Sequence, residues 1–243
     1  MRAEFLRPLI LAGYLLLNAG IAPAQETDAL VEQIYQTLID QEKLYQSLYP
    51  YTYKQEVHFQ KLDDDGEAEE ASRREYLVRV LSEDDHRRSL IRALDFEDGD
   101  WTDVTADKRN EPQEGDRKKF SLLEMVGPEN RHDYTFSSNG HGDFNGQPVY
   151  YIHAQVKDPQ EDKFNGDLWV HEKEFIVVKA VLEPSALPSA VDSMQMEFEL
   201  LKTSGCWLPA RVILNAKISF LIIFSGRIRS DIRFYDYQFT KGK

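Results

Sequence analysis

The side chains that could do chemistry are scattered along this 243-residue sequence. The six histidines show no His-x-x-x-His pair or other tight ligand spacing; they are His58, His86, His132, His141, His153 and His171. His153 and His171 fall in adjacent predicted strands, so they form either a zinc pair across the sheet or ordinary exposed or hydrogen-bonded histidines. The single cysteine, Cys206, excludes an intrachain disulfide and is too little for a cysteine-based metal site. We therefore expect no metal and no cofactor.

The carboxylates and serines give no catalytic pattern either. The sequence has no Gly-x-Ser-x-Gly elbow and no glycine-rich phosphate loop. The run Asp63-Asp64-Asp65-Gly66 lacks the spaced ligands of a calcium loop and favours a solvated turn. Glu197 and Glu199 stand close enough for an acid/base couple, but an acidic surface supplies such pairs by chance. The sequence therefore predicts a protein that is not an enzyme.

The net charge limits the classes of partner that the protein can bind. The formal net charge is -13 and the pI about 4.9, which disfavours binding to nucleic acid and to anionic lipid surfaces. One basic stripe stands out, formed by Arg227, Arg229 and Arg233. It is typical of a solvated strand face, and the alternative is contact with a lipid head group or a partner.

The segment Met194–Leu200 alternates apolar and polar residues one by one. A period of two predicts a strand with one dry face and one wet face, as in an antiparallel sheet. The function depends on what covers the dry face: a filled core, a plugging helix or a ligand. The candidate lipid-binding residues of this face, with two from the next predicted strand, are Met194, Met196, Phe198, Leu200, Val212 and Leu214.

A helix is predicted over Thr27–Leu48, before the β-rich body. Leu30, Ile34 and Leu38 recur at four-residue steps and form an apolar stripe, and Pro50 follows the helix end. An amphipathic helix must lay this stripe on something, and the dry face of the sheet is available. We therefore predict a lid or plug helix, with Phe120–Val126 as a short second piece.

The remaining signals are strands and turns. Strands are predicted over Tyr51–Gln60, Arg74–Val80 and Arg88–Phe96, and Asn-Gly turns at Asn139-Gly140, Asn145-Gly146 and Asn165-Gly166. The last hairpin turn is placed at Asn215-Ala216-Lys217 or at Ser225-Gly226. The first is favoured and leaves Gly226 as a bulge.

These elements predict a mainly β, α+β fold. A final strand from Ile218 to Phe239 would extend ~70 Å at ~3.3 Å per residue, which a small domain accommodates only by curling its sheet. We therefore expect a strongly curved antiparallel sheet that forms an incomplete barrel, covered by the N-terminal amphipathic helix and a short second helix.

The first 24 residues resemble a secretory signal. Arg2 and Arg7 precede the apolar run Leu9–Leu17, and Ala22-Pro23-Ala24 offers a cleavage site. The apolar run is shorter than the ~20 residues that a bilayer span needs. We therefore expect a signal peptide at residues 1–24, a single domain at residues 25–243, and a periplasmic location.

Four short motifs occur in a particular order along the chain. The first is Asn145-Gly146-Gln147-Pro148-Val149-Tyr150. It is followed by Gly166–Val170, Trp207-Leu208-Pro209 and Tyr235–Phe239. In this order they resemble the outer-membrane lipoprotein-sorting-like proteins of the superfamily that contains LolA, LolB and LppX. The resemblance implies an incomplete β-barrel whose concave apolar face is covered by helices and holds acyl chains. The lipidation cysteine of LolB and LppX is absent, and no ligand-contacting residue can be matched to a position here.

Three functional hypotheses follow. The first is a periplasmic carrier or binding protein for the acyl chain of a lipoprotein or lipid, with a membrane-bound donor or acceptor protein as a partner. The second is an envelope regulatory or scaffold module of the same fold without transport. The third is a hydrolase, for which no catalytic constellation is visible.

Overall fold

A computed structural model describes residues 24–63, 65–97, 99–109, 121–220 and 224–240. Its strands, numbered β1 to β11 in chain order, are Tyr51–Leu62, Ala68–Val80, His86–Glu97, Asp100–Asp103, Tyr134–Phe144, Gln147–Val156, Phe164–His171, Val177–Pro184, Val191–Thr203, Cys206–Phe220 and Phe224–Phe239. They form one antiparallel 11-stranded sheet in the order β4-β3-β2-β1-β11-β10-β9-β8-β7-β6-β5. The sheet is curved and unclosed, which confirms the predicted incomplete barrel.

Three helices accompany the sheet within the described residues: α1 at Ala24–Ser47, α2 at Thr105–Lys108 and α3 at Leu122–Val126. A 3-10 turn follows at Arg131–Asp133. The predicted N-terminal helix and the short second helix are thus both present. None of the helices in the described part of the chain is long and apolar enough to cross a membrane.

The main core lies between α1 and strands β5 to β8. Val31 and Ile34 of α1 are fully buried, and they pack in one cluster with Ile152 of β6 and Leu168 of β7. The apolar stripe of the helix therefore meets the dry face of the sheet, as its spacing predicts. Removal of this apolar surface from water is the main force that holds the helix in place.

Two hairpins close with the turn chemistry that their sequences favour. Asn145 and Gly146 have φ angles of 53° and 78° between β5 and β6. Ser204 and Gly205 have φ angles of 53° and 84° between β9 and β10. Two consecutive positive φ angles match the right-handed twist of antiparallel strands, and Asn and Gly tolerate them best.

Two other predicted turns are wrong. Asn139-Gly140 is an irregularity inside β5, where the register with β6 shifts between Ser138 and His141 and Gly140 has a φ of 93°. Asn165-Gly166 lies inside β7. The Asn165 side chain accepts a hydrogen bond from the Val156 backbone at 2.8 Å, so it serves the neighbouring strand instead of a turn.

The predicted position of the last hairpin turn is also wrong. Strand β10 runs through Asn215–Lys217 to Phe220, because Ala216 and Ile218 continue its apolar face. Phe220 pairs with Phe224, so the connection falls at residues 221–223, outside the described residues. Gly226 pairs with Ile218 without a register shift and is not a bulge.

Two predictions fall wholly or partly outside the described chain. The signal peptide at residues 1–24 lies outside it except for Ala24, where α1 begins. The second helix predicted at Phe120–Val126 is described from residue 121 onward, where α3 begins at Leu122.

Candidate ligand-binding cavity

The two faces of the sheet are set by the register of β9 and β10. Phe198 pairs with Val212, Met196 with Leu214 and Met194 with Ala216. These residues share the concave face, while Glu197 and Glu199 point to the convex face. There the Lys179 ammonium lies 2.5 Å from Glu197 and 3.5 Å from Glu199, so the two carboxylates hold a cation.

A cavity of about 680 Å³ lies between the C-terminal half of α1, α3 and the concave face. Its apolar wall includes Leu38, Leu122, Ile176, Val177, Leu182, Met196, Phe198, Leu200, Leu208 and Val212. Cavities of roughly 300–1,000 Å³ are typical of small-molecule sites, and such sites are mostly apolar. This one has the size and lining of a site for an apolar ligand.

The predicted site residues divide among several places. Met196, Phe198, Leu200, Val212 and the helix residue Leu38 all line this cavity. The others do not line it: Met194 lines a separate cavity of about 590 Å³, Leu30 lines one of about 390 Å³, Leu214 is half-buried beside Met196, and Ile34 is fully buried in the core.

The helix is held over the cavity by polar contacts as well as by packing. The Tyr45 hydroxyl donates to the backbone carbonyl of Trp207, and the Trp207 indole donates to Glu174 at 2.8 Å. Burial raises the pKa of Tyr45 to about 12, so this donor keeps its proton at neutral pH. The C-terminal half of α1 is thereby linked to the start of β10.

A second link joins α1 to α3. The Arg131 guanidinium donates to the Glu32 carboxylate at 2.8 Å and to the Val126 carbonyl at 2.8 Å. It also lies 5.8 Å from the centre of the Tyr35 ring. The hydrogen bonds from Gln36 and Arg131 hold the pKa of Glu32 below its ordinary value.

Tyrosines form one side of the cavity entrance. The rings of Tyr49 and Tyr51 stack at 5.9 Å with an interplanar angle of 5°. Tyr51 also contacts Tyr237, whose hydroxyl donates to the Pro209 carbonyl at 2.7 Å. Burial raises the pKa of Tyr51 and Tyr237, so both rings are uncharged.

The remaining polar residues of the cavity are Gln41, Glu42, Gln46, Glu83, His86 and Ser121. Gln46 donates to Glu83 at 3.5 Å across the entrance. The Oε1 atom of Gln41 is buried and has no hydrogen-bond partner within the described chain. An unpaired buried amide oxygen costs free energy, and a donor carried by an occupant would satisfy it.

No metal site forms among the described residues. They contain no group of three His, Cys, Asp or Glu side chains placed to hold an ion. The alternative of a zinc pair at His153 and His171 is wrong, because His153 pairs with Asp167 and His171 with Val149. The His153 ring instead lies 2.8 Å from the Asp167 carboxylate.

The sequence interpretation missed the polar and aromatic half of the cavity. A usable signal existed, because Leu38, Gln41, Tyr45 and Tyr49 follow one another at three- and four-residue steps and continue the stripe of α1. Leu208 is a different case. Its place in the cavity depends on the pairing of β9 with β10, which the local pattern does not show.

Comparison with known proteins finds likeness in structure alone. No protein-family model and no curated protein matches the sequence. A domain described as an outer membrane lipoprotein-sorting protein from Vibrio parahaemolyticus is 10% identical, with 88% of this chain and 94% of that chain covered and a TM-score of 0.39. A DUF1329 family protein from Desulfovibrio piger is 11% identical, with 91% and 95% covered and a TM-score of 0.41.

A LolA superfamily protein from Nitrosomonas europaea is 12% identical, with 89% of this chain and 94% of that chain covered and a TM-score of 0.36. The structural neighbours thus include the group that the sequence motifs resemble. At these identities and TM-scores, function has to be derived from the geometry of this chain.

Proposed function

We propose that this protein binds the acyl chain of a lipoprotein or lipid in the cavity beneath α1 and acts as its carrier. The observation that carries the proposal is the cavity of about 680 Å³, lined by Met196, Phe198, Leu200 and Val212 and roofed by Leu38. An exported protein whose sheet leaves such a space under a helix can shield an acyl chain from water.

The physical chemistry supports a flexible apolar ligand. Burial of one methylene group contributes about 0.8 kcal/mol, so a chain gains affinity with each carbon that enters. Methionine is unbranched and polarizable, and Met196 can therefore follow chains of different shape. The predicted signal at residues 1–24 supports a periplasmic location, where a membrane-bound protein would donate or accept the ligand.

The test substitutes a cavity residue and an exposed residue in the same strand with the same side chain. Met196→Glu places a carboxylate in the apolar wall, whereas Leu201→Glu changes a leucine that is 60% exposed. Binding of a neutral fluorescent fatty alcohol should fall at least tenfold in Met196→Glu, equivalent to ~1.4 kcal/mol. Leu201→Glu should bind as the wild type does.

A second variant separates loss of binding from loss of folding. Val212→Phe fills the cavity with an apolar ring, so binding should fall while the melting temperature is kept. Wild-type protein that binds no alkyl chain would contradict the proposal and favour a regulatory or scaffold role. Equal loss in Met196→Glu and Leu201→Glu would contradict the location of the site.

A further inference from the structure

The charged residues of the cavity all lie at its entrance and have one sign. Among the described residues that line it, Glu42 and Glu83 are carboxylates, and none is lysine or arginine. His86 is the remaining ionisable group beside the tyrosines. The entrance therefore offers negative charge to whatever lies there, in a protein whose net charge is already -13.

The two tyrosines at the cavity entrance add to its attraction for a positive charge. Tyr49 stacks on Tyr51 at the entrance, and both rings line the cavity. Burial raises the pKa of Tyr49, and the negative charges of Glu83, Glu42 and Asp84 raise it further. Aromatic faces attract cations through their negative quadrupole, and carboxylates attract them by charge.

Gln41 adds an acceptor to this set. Its Oε1 atom is buried beside the cavity without a partner among the described residues. A ligand N–H group would give this oxygen a partner once the side chain turns toward it. Carboxylates, ring faces and an amide oxygen are all groups that favour a positively charged hydrogen-bond donor. Two carboxylates on an acidic protein are ordinary, but these two stand over an apolar cavity of about 680 Å³.

We propose that the cavity selects a chain-bearing ligand, such as an acylated one, whose head group carries an ammonium, with the chain under α1 and the ammonium between Glu42, Glu83 and the Tyr49–Tyr51 stack. This inference rests on the proposed function, because it requires that the cavity hold a chain. It goes further by assigning the charge of the ligand head. A chain that ends in a carboxylate is disfavoured at the same entrance, since like charges repel and nothing in the described lining offers lysine or arginine to offset them.

The experiment measures four competitors that share a chain of ten carbons, each below its micelle concentration, against a neutral fluorescent fatty alcohol. Decylammonium and decyltrimethylammonium should bind at least tenfold more tightly than decanoate at low salt, with decanol between them. The difference should narrow when the salt concentration is raised, because exposed charges at the entrance are screened.

The matched variants have the same change in net charge. Glu42→Gln with Glu83→Gln should reduce the ratio of cation to anion affinity at least threefold and leave decanol affinity within twofold. The control is Glu129→Gln with Asp158→Asn, two exposed carboxylates that do not line the cavity. The control should keep the wild-type ratio.

Each result has a defined consequence. Decanoate that binds as tightly as the ammonium compounds would overturn the inference while leaving the proposed function intact. An equal change in the ratio of cation to anion affinity in the control variant would also overturn the inference. The effect would then come from the net charge of the protein and not from Glu42 and Glu83. Failure of all four competitors to bind, decanol included, would instead contradict the proposed function itself.

The role of Gln41 is tested separately. Decylammonium donates N–H bonds and decyltrimethylammonium has none, so the wild type should prefer the first by about threefold or more. Gln41→Met keeps the length of the side chain and removes its acceptor. The preference should then disappear, and an unchanged preference would overturn the role assigned to Gln41.

Discussion

The concave face of the sheet has two halves built from different side chains. The helix-covered half, formed by β5 to β9 beneath α1, is apolar; Ile152 and Leu168 are each 1% exposed there. The other half, called here the polar half, is formed by β1 to β3 and carries Gln55, Arg74 and Arg88 beside buried valines, Val78 and Val80, on the same face. The two halves of one sheet therefore carry different kinds of side chain on the same face.

The polar half satisfies its side chains by pairing. Arg88 donates to the Gln55 side chain at 2.5 Å and lies 5.2 Å from the centre of the Tyr76 ring. Arg74 donates to Asp95 at 2.5 Å. Gln55 is 4% exposed, so without Arg88 its amide oxygen would be buried and unpaired.

The difference follows from what lies over each half. In the described chain, α1 packs on the side of β5, whereas the short α2 packs on β3. A long amphipathic helix can cover an apolar surface, and a four-residue helix cannot. The cavity lies where the two halves meet, since Tyr51 and His86 come from β1 and β3 while Phe198 and Val212 come from β9 and β10. An apolar wall and a polar entrance are the result.

The largest expected effect lies in the helix-covered half. Leu168→Ala removes a side chain that is 1% exposed and leaves a cavity, which should lower the free energy of unfolding by about 2–5 kcal/mol. Leu77→Ala, at a residue of β2 that is 38% exposed on the convex face, should cost less than about 1 kcal/mol. Urea denaturation measures both. Equal losses would show that burial beneath α1 does not set the cost of removing a leucine.

The helix-covered half could be predicted largely from the sequence. The period-two pattern of Met194–Leu200 and the stripe of α1 are local, and both report which face is dry. The polar half could not be predicted in this way. Gln55 interrupts the apolar positions of β1, and its burial depends on Arg88 from β3. The pairing of Tyr51 with Phe239 joins the first strand to the last, and no local pattern reports such a contact.

A medium effect is expected on the convex face, where Asp231 of β11 is paired with Arg211 of β10. The guanidinium makes two hydrogen bonds to the carboxylate, at 2.9 and 2.6 Å, and Asp231 is 9% exposed. These bonds hold the pKa of Asp231 below its ordinary value. Asp231→Asn should lower the free energy of unfolding by about 2 kcal/mol at neutral pH.

The pH dependence of this effect has a definite sign. The pKa of Asp231 is lower in the folded than in the unfolded protein, where it is about 3.9. The stabilisation is therefore complete well above pH 4 and is lost as the pH falls through the folded value. The difference between wild type and Asp231→Asn, measured by urea denaturation from pH 7 to pH 3, should shrink toward acid. A constant difference would mean that Asp231 acts by shape and not by charge.

The smallest effect tests whether hydrogen bonding between side chains stabilises the polar half. Arg88→Met leaves the buried Gln55 oxygen without its donor, so this single change should cost about 1–2 kcal/mol. Gln55→Leu removes the group that needs the donor, and the double variant should therefore lose less than the sum of the two single variants. A double-mutant cycle by urea denaturation should give a coupling of about 1 kcal/mol.

The control cycle uses Lys43 and Asp40, an exposed pair on α1 with side chains 69% and 76% accessible, which should show no measurable coupling. Additive losses at Gln55 and Arg88 would mean that the polar half is held by backbone pairing alone, and the contrast between the two halves would then be one of composition and not of stabilising force.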